Sequence, residues 1–170
     1  MIKYLVMDVD GTLTDGKIYM GNNGEAMKAF NIKDGYGIHD ILPQNHILPI
    51  IITGRNSDIL LNRCRELGIE NVVQNVEDKA QVLNKLTDGK LNYVAYIGDD
   101  LNDMPAMQAV KNAGGIVGCP SDAICEIQEM ADFISQFKGG DGAVREFIDR
   151  IVRLQNNRVG NGFIEWDRVD

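Results

Sequence analysis

Two stretches of this chain, residues 47–52 and 93–97, are apolar at nearly every step rather than at every second one, with only Pro49 breaking the first. A strand that alternates can leave one face to water, whereas one that does not must be covered on both faces. Between and around these stretches lie segments of helical spacing. Residues 57–67 carry Ile59, Leu60, Leu61, Cys64 and Leu67 and stop at Gly68; residues 78–86 carry Ala80, Val82, Leu83 and Leu86. A helix through Met104, Met107 and Val110, another over 123–130 and a long amphipathic one over 143–154 follow. Residues 34–42 read as a short helix entered through Asp34-Gly35. Further short strands are expected at 2–9, 72–73, 115–117 and 133–134. Strands alternating with helices predict an α/β fold of Rossmann-like, three-layer type, a parallel sheet with helices on both faces.

One segment stands outside that alternation. Residues 16–30 read as a β-hairpin flap, with Lys17-Ile18-Tyr19-Met20 on one arm and Gly21-Asn22-Asn23-Gly24 at the turn. Ile18, Tyr19, Met20, Met27 and Phe30 make it apolar enough to pack against another subunit. With 170 residues the chain suits a single domain, expected over 1–155, followed by a polar, mobile tail over 156–170.

The formal net charge of -8 leaves no basic stripe to neutralise a nucleic acid, and it suits a protein that holds a divalent cation through carboxylates. The three cysteines, Cys64, Cys119 and Cys125, have no CxxC spacing and imply neither a disulfide framework nor a zinc site. No apolar run approaches the roughly 18 residues that span a bilayer. The first residues lack the apolar stretch and cleavage site of a signal peptide. The expectation is a cytoplasmic protein.

In an open parallel sheet, ligands sit outside the carboxyl ends of the strands. The residues just past the apolar runs are therefore the candidates for chemistry: Asp8, Asp10, Gly11 and Thr12; Thr53, Gly54 and Arg55; Lys79 at a helix start; and Asp99, Asp100 and Asp103. Clustered carboxylates repel one another unless a cation lies between them, and oxygen ligands of this kind hold Mg²⁺. A hydroxyl, an ammonium and backbone N–H groups supply donors for the charge that develops in phosphoryl transfer. A carboxyl group two residues beyond a nucleophilic one points to the same side of an extended chain, where it can donate and recover a proton.

Asp8-Val9-Asp10-Gly11-Thr12-Leu13-Thr14 resembles the first motif of the haloacid dehalogenase superfamily of phosphatases. Thr53, Lys79 and the run Gly98-Asp99-Asp100-Leu101-Asn102-Asp103 resemble its second, third and fourth motifs, in order. The resemblance implies Asp8 as nucleophile and Mg²⁺ ligand, and Asp10 as general acid/base with its backbone carbonyl on the metal. It implies Thr53 and Lys79 as holders of the phosphoryl group, Asp99 as the third metal ligand, and Asp100 and Asp103 as residues that orient the site. The stretches from Asp8 to Thr53 and from Thr53 to Lys79 are too short for a cap domain. The segments 15–25, 28–38, 51–55 and 139–146 resemble the capless 3-deoxy-D-manno-octulosonate 8-phosphate phosphatase branch, whose relatives act on nine-carbon sialic-type 9-phosphates. That likeness implies a homotetramer built through the hairpins, and a substrate-contacting set of Asn31, Ile32, Lys33, Asp34, Gly35, His39, Arg55 and Arg63, with Asp10 and Lys79. A guanidinium suits a sugar-acid carboxylate because its fork matches two oxygens. Asp141 and His39 stand where that branch often carries arginine.

Two readings from other classes remain at this point. A phospho-receiver domain also gathers acids, a hydroxyl and a lysine, but its phosphorylated Asp follows a middle strand, where this chain has Thr53. A non-catalytic binding domain would not need all four motifs filled.

Overall fold

The computed structural model describes residues 1–159. Strand β1 (Tyr4–Met7) leads into the hairpin strands β2 (Tyr19–Gly21) and β3 (Gly24–Met27), then helix α1 (Ile32–Tyr36). A π-helical turn (Gly37–Ile41) and a single turn, α2 (Leu42–Gln44), precede β4 (Leu48–Ile52). There follow α3 (Asp58–Glu66), β5 (Asn71–Val73), α4 (Lys79–Leu86), β6 (Val94–Ile97), α5 (Met104–Asn112), β7 (Ile116–Cys119), α6 (Cys125–Met130), β8 (Phe133–Ile134) and α7 (Ala143–Val159).

Six strands form one sheet in the order β5-β4-β1-β6-β7-β8, and every pairing is parallel. Because side chains alternate across a strand, β1 sends Leu5 and Met7 to one face and Val6 to the other. Leu5, Met7, Ile51 and Ile97 pack with Ile38, Leu42, Leu60, Phe147, Ile148 and Ile151, so α3, α7 and the α1–α2 segment cover that face. Val6, Ile50, Ile52 and Tyr96 pack with Leu83, Met107, Val110 and Ile127 beneath α4, α5 and α6. This is the two-faced burial that the uninterrupted apolar runs require. Among the described residues there is no cap domain, and no helix is long and apolar enough to cross a membrane.

The order in which the parallel strands lie, 3-2-1-4-5-6 in their chain sequence, is that of the dinucleotide-binding doubly wound sheet and differs from the 2-1-3-4-5 order of receiver domains. Its direction reverses between β1 and β6, which opens a crevice where Asp8 and Asp99 emerge.

Two boundaries differ from the sequence expectation. The helix placed at 34–42 starts at Ile32, because the Asn31 side chain accepts from the Lys33 N–H and caps it; Asp34 sits inside its first turn. The last helix continues past 154 to Val159, so residues 156–159 of the expected tail are helical. The apolar periodicity ends near Leu154, yet no glycine or proline interrupts the segment before 159. The remainder of the tail, 160–170, lies outside the described residues.

Candidate active site

The end of β1 delivers Asp8 beside β6, with its N–H donating to the Ile97 carbonyl at 3.1 Å. The side chain is buried. Lys79, the first residue of α4, reaches it because Asp78 caps that helix through the Gln81 N–H and turns the chain inward. The Lys79 Nζ donates to Asp8 Oδ1 and to Asp103 Oδ1, each at 2.7 Å. Asp103 is fully buried: its Oδ1 also accepts from the Tyr96 hydroxyl at 2.8 Å, and its Oδ2 accepts from the Asp99 N–H at 3.1 Å. Asp99 accepts from the Thr12 hydroxyl at 2.9 Å. Gly11, at φ +99°, has to be glycine here, since a Cβ would lie 2.0 Å from Asp99 Oδ2.

One oxygen from each of Asp8, Asp99 and Asp103 lies within 4.8 Å of the others. Burial and the charge of Asp103 push Asp8 up to about 8, against the pull of Lys79. Burial and Asp103 likewise raise Asp99 to about 7. Burial works against the Lys79 ammonium, but Asp8 and Asp103 outweigh it and hold its pKa above the ordinary value. Three buried or part-buried carboxylates facing one ammonium leave an excess of negative charge. An all-oxygen donor set with that excess fits a hard divalent cation such as Mg²⁺. Asp103 is already saturated by four donors, Lys79, Tyr96 and the N–H groups of Asp99 and Asp100, so it orients the others, while Asp8 and Asp99 retain oxygens for an ion.

Asp10 lies apart from that cluster. Its Oδ1 pairs with Lys28, which comes from the hairpin, and Arg55 Nε stands 3.8 Å from its Oδ2. Lys28 also pairs with Glu25 at 3.1 Å, and Glu25 accepts from Arg55 at 3.3 Å and from the Ser57 hydroxyl. The hairpin is thereby tied over the mouth of the crevice. Thr53 is buried at the end of β4, next to β1, and its hydroxyl accepts from the Arg55 N–H at 3.4 Å. Asp100 is exposed and caps its own turn through the Leu101 N–H.

The expected substrate-contacting set divides. Asn31, Ile32 and Lys33 form the start of α1, with Ile32 82% exposed. Asp34, expected to meet substrate, is buried: its Oδ1 accepts from the Arg145 N–H at 2.8 Å and so caps the first turn of α7. Burial raises it to about 6, and its Oδ2 has no partner among the described residues. Gly35 is pressed against Arg63, whose Nη2 a Cβ would approach to 2.3 Å. Arg63 stacks on Phe30 and pairs with Glu66 at 2.9 Å. His39 is exposed and turns to Asp40 at 3.2 Å. Asp34 faces inward from the first turn of α1 toward α7, whereas His39 lies on the outer side of the π-helical turn.

Lys28, Glu25 and Tyr96 were not among the expected site residues. Tyr96 carried a signal, because a hydroxyl in an otherwise apolar, two-sided strand needs a buried partner. Lys28 carried none, since a lysine in a hairpin arm reads as a solvated charge.

No family profile matches the chain. Curated relatives do: it is 44% identical over 158 residues to the 3-deoxy-D-manno-octulosonate 8-phosphate phosphatase KdsC of Salmonella typhi, covering 91% of this chain and 81% of that one. Among solved structures, the corresponding phosphatase of Yersinia pestis superposes with a TM-score of 0.85 at 42% identity, over 94% of this chain and 85% of that one. The Moraxella catarrhalis phosphatase, solved with a magnesium ion, a phosphate ion and a KDO molecule, superposes with a TM-score of 0.83 at 40% identity, over 92% and 88%. With a crevice of this composition at the sheet's switch point and kinship at this level over nine-tenths of its length, the chain belongs to the 3-deoxy-D-manno-octulosonate 8-phosphate phosphatase family of the haloacid dehalogenase superfamily.

Proposed function

We propose that this chain hydrolyses 3-deoxy-D-manno-octulosonate 8-phosphate through an aspartyl-phosphate on Asp8, with Mg²⁺ as cofactor. The observation that carries the reading is the meeting of Asp8, Asp99, Asp103 and Lys79 in the crevice of a chain so closely related to phosphatases of that ester. Asp8, Asp99 and the Asp10 backbone carbonyl would hold the ion. Bound there, Mg²⁺ neutralises the phosphate charge that would otherwise repel a carboxylate.

Each other group has a task that its place allows. The carboxylate of Asp8 attacks phosphorus; the bond from phosphorus to the sugar oxygen breaks, and that oxygen leaves with the electron pair and takes a proton from Asp10. Lys79 and the Thr53 hydroxyl hold the equatorial oxygens while charge spreads over them. A water then gives a proton to Asp10 and its oxygen to phosphorus. The bond to Asp8 breaks, inorganic phosphate departs, and both carboxyl groups return to their starting states. Arg55, part-exposed beside Asp10, offers a fork to the substrate carboxylate, with Asn31 and Lys33 at the rim. The apolar outer side of the hairpin supports assembly into a homotetramer.

The test is a panel of eight- and nine-carbon 2-keto sugar-acid phosphates with Mg²⁺. The eight-carbon 8-phosphate gives the highest kcat/KM, and Asp8→Asn keeps less than about a hundredth of the rate. A higher value on a nine-carbon 9-phosphate moves the assignment to that relative. Hydrolysis that survives Asp8→Asn removes the nucleophile assignment.

A further inference from the structure

Lys28 is the member of the site with the least obvious reason to be there. Its side chain is 3% exposed although it belongs to a solvent-facing hairpin. Burying an ammonium is costly unless it is paired, and its two partners are Asp10 Oδ1 and Glu25 Oε1. Glu25 is in turn anchored by Arg55 and by Ser57, the N-cap residue of α3. A continuous chain of contacts thus runs from a rigid helix start through Glu25 and Lys28 to one oxygen of Asp10.

The other oxygen accepts no hydrogen bond among the described residues and faces only a guanidinium. Arg55 Nε, at 3.8 Å from Asp10 Oδ2, is beyond hydrogen-bond distance. Asp10 sits in the loop after β1, where an isolated carboxylate has several rotamers and one neighbouring guanidinium to swing toward. Pairing Oδ1 with a buried, doubly held ammonium selects one rotamer and leaves Oδ2 beside Arg55 without a hydrogen bond.

We propose that Lys28 is a positioning residue that holds the Asp10 carboxyl group where its free oxygen meets the leaving-group oxygen. The proposal rests on the reading of Asp10 as the acid/base of the reaction. It places on the hairpin, outside the four motifs, a residue that acts on the chemical step through another side chain.

Such a residue matters in proportion to how badly the leaving group needs a proton. The experiment measures kcat/KM, which reports only as far as leaving-group departure, on the sugar-acid phosphate and on p-nitrophenyl phosphate, for wild type, Lys28→Met, Lys28→Arg and Asp10→Asn. The alkoxide of the sugar needs the proton, whereas p-nitrophenolate leaves without it. Lys28→Met is expected to lose about 10²-fold on the sugar ester and less than about tenfold on the aryl ester, with Lys28→Arg recovering most of the difference. An equal loss on both esters, or no rescue by arginine, overturns the positioning role. Asp10→Asn separates the two claims. If it discriminates between the esters and Lys28→Met does not, Lys28 alone is misassigned; if neither discriminates, the acid/base reading of Asp10 fails. Should Lys28→Met not fold, as judged by circular dichroism, Lys28→Gln carries the same comparison.

Discussion

Asp103 shows how one buried side chain can gather the groups of a site around itself. Its two oxygens collect Lys79, Tyr96 and the N–H groups of Asp99 and Asp100, and it is a principal reason that Asp8 and Asp99 hold their protons more tightly than ordinary carboxyl groups. A cation that binds Asp8 and Asp99 must displace those protons. Mg²⁺ affinity, measured by titration calorimetry, is therefore expected to fall as pH is lowered from above 8 to below 7, with proton release accompanying binding in that window. A pH-independent affinity across it would show that the two carboxyl groups are already ionised in the free protein. The positions of Asp8, Asp10, Thr53, Lys79 and Asp99 were legible in the sequence because each follows a strand or opens a helix. Contacts such as Lys28 with Asp10 were not, because pairing across a hairpin depends on where the flap folds.

At the scale of elements, α7 depends on a residue far from it in sequence. Asp34 of α1 satisfies the N–H of Arg145 in the first turn of α7, a task that usually falls to a side chain of the helix's own preceding loop. That loop instead consists of Gly139, Gly140, Asp141 and Gly142, and it packs so tightly on the segment after β1 that a Cβ on Gly139 would lie 1.9 Å from the Gly11 carbonyl oxygen. The folded protein holds the Asp34 proton up to about 6, whereas the unfolded chain releases it near 3.8. Stability from this group is therefore present at pH 4 and lost as pH rises through 6, by roughly 3 kcal/mol at full effect. Thermal melts with saturating Mg²⁺ should show wild type losing ground to Asp34→Asn, which keeps an acceptor for Arg145, between pH 4.5 and 7. Parallel curves for the two would remove the assignment. Asp34 was expected as a substrate contact from the resemblance of the segment 28–38 to the octulosonate branch. Its partner on α7 lies 111 residues away, a pairing that no local spacing reveals.

For the whole molecule, two-sided burial was readable from the unbroken apolar runs, whereas the strand order was not, since right-handed crossovers allow more than one order of parallel strands. What the chain could not reveal by pattern alone is how its flap divides its two sides. Ile18, Met20 and Met27 are 54%, 66% and 53% exposed, an apolar surface next to the crevice mouth. A homotetramer is expected by light scattering at micromolar concentration, and Met20→Glu with Met27→Glu should shift the mass toward monomer. A monomeric wild type would remove the assembly from the proposal.

The same short ribbon carries Lys28 and Glu25 inward and these methionines outward. A second copy settled against the outer side would also steady the arm whose Lys28 pairs with Asp10. In such an assembly catalytic competence and self-association would cease to be separate properties: progressive dilution, by baring the ribbon, would lower the specific rate before the protein unfolds.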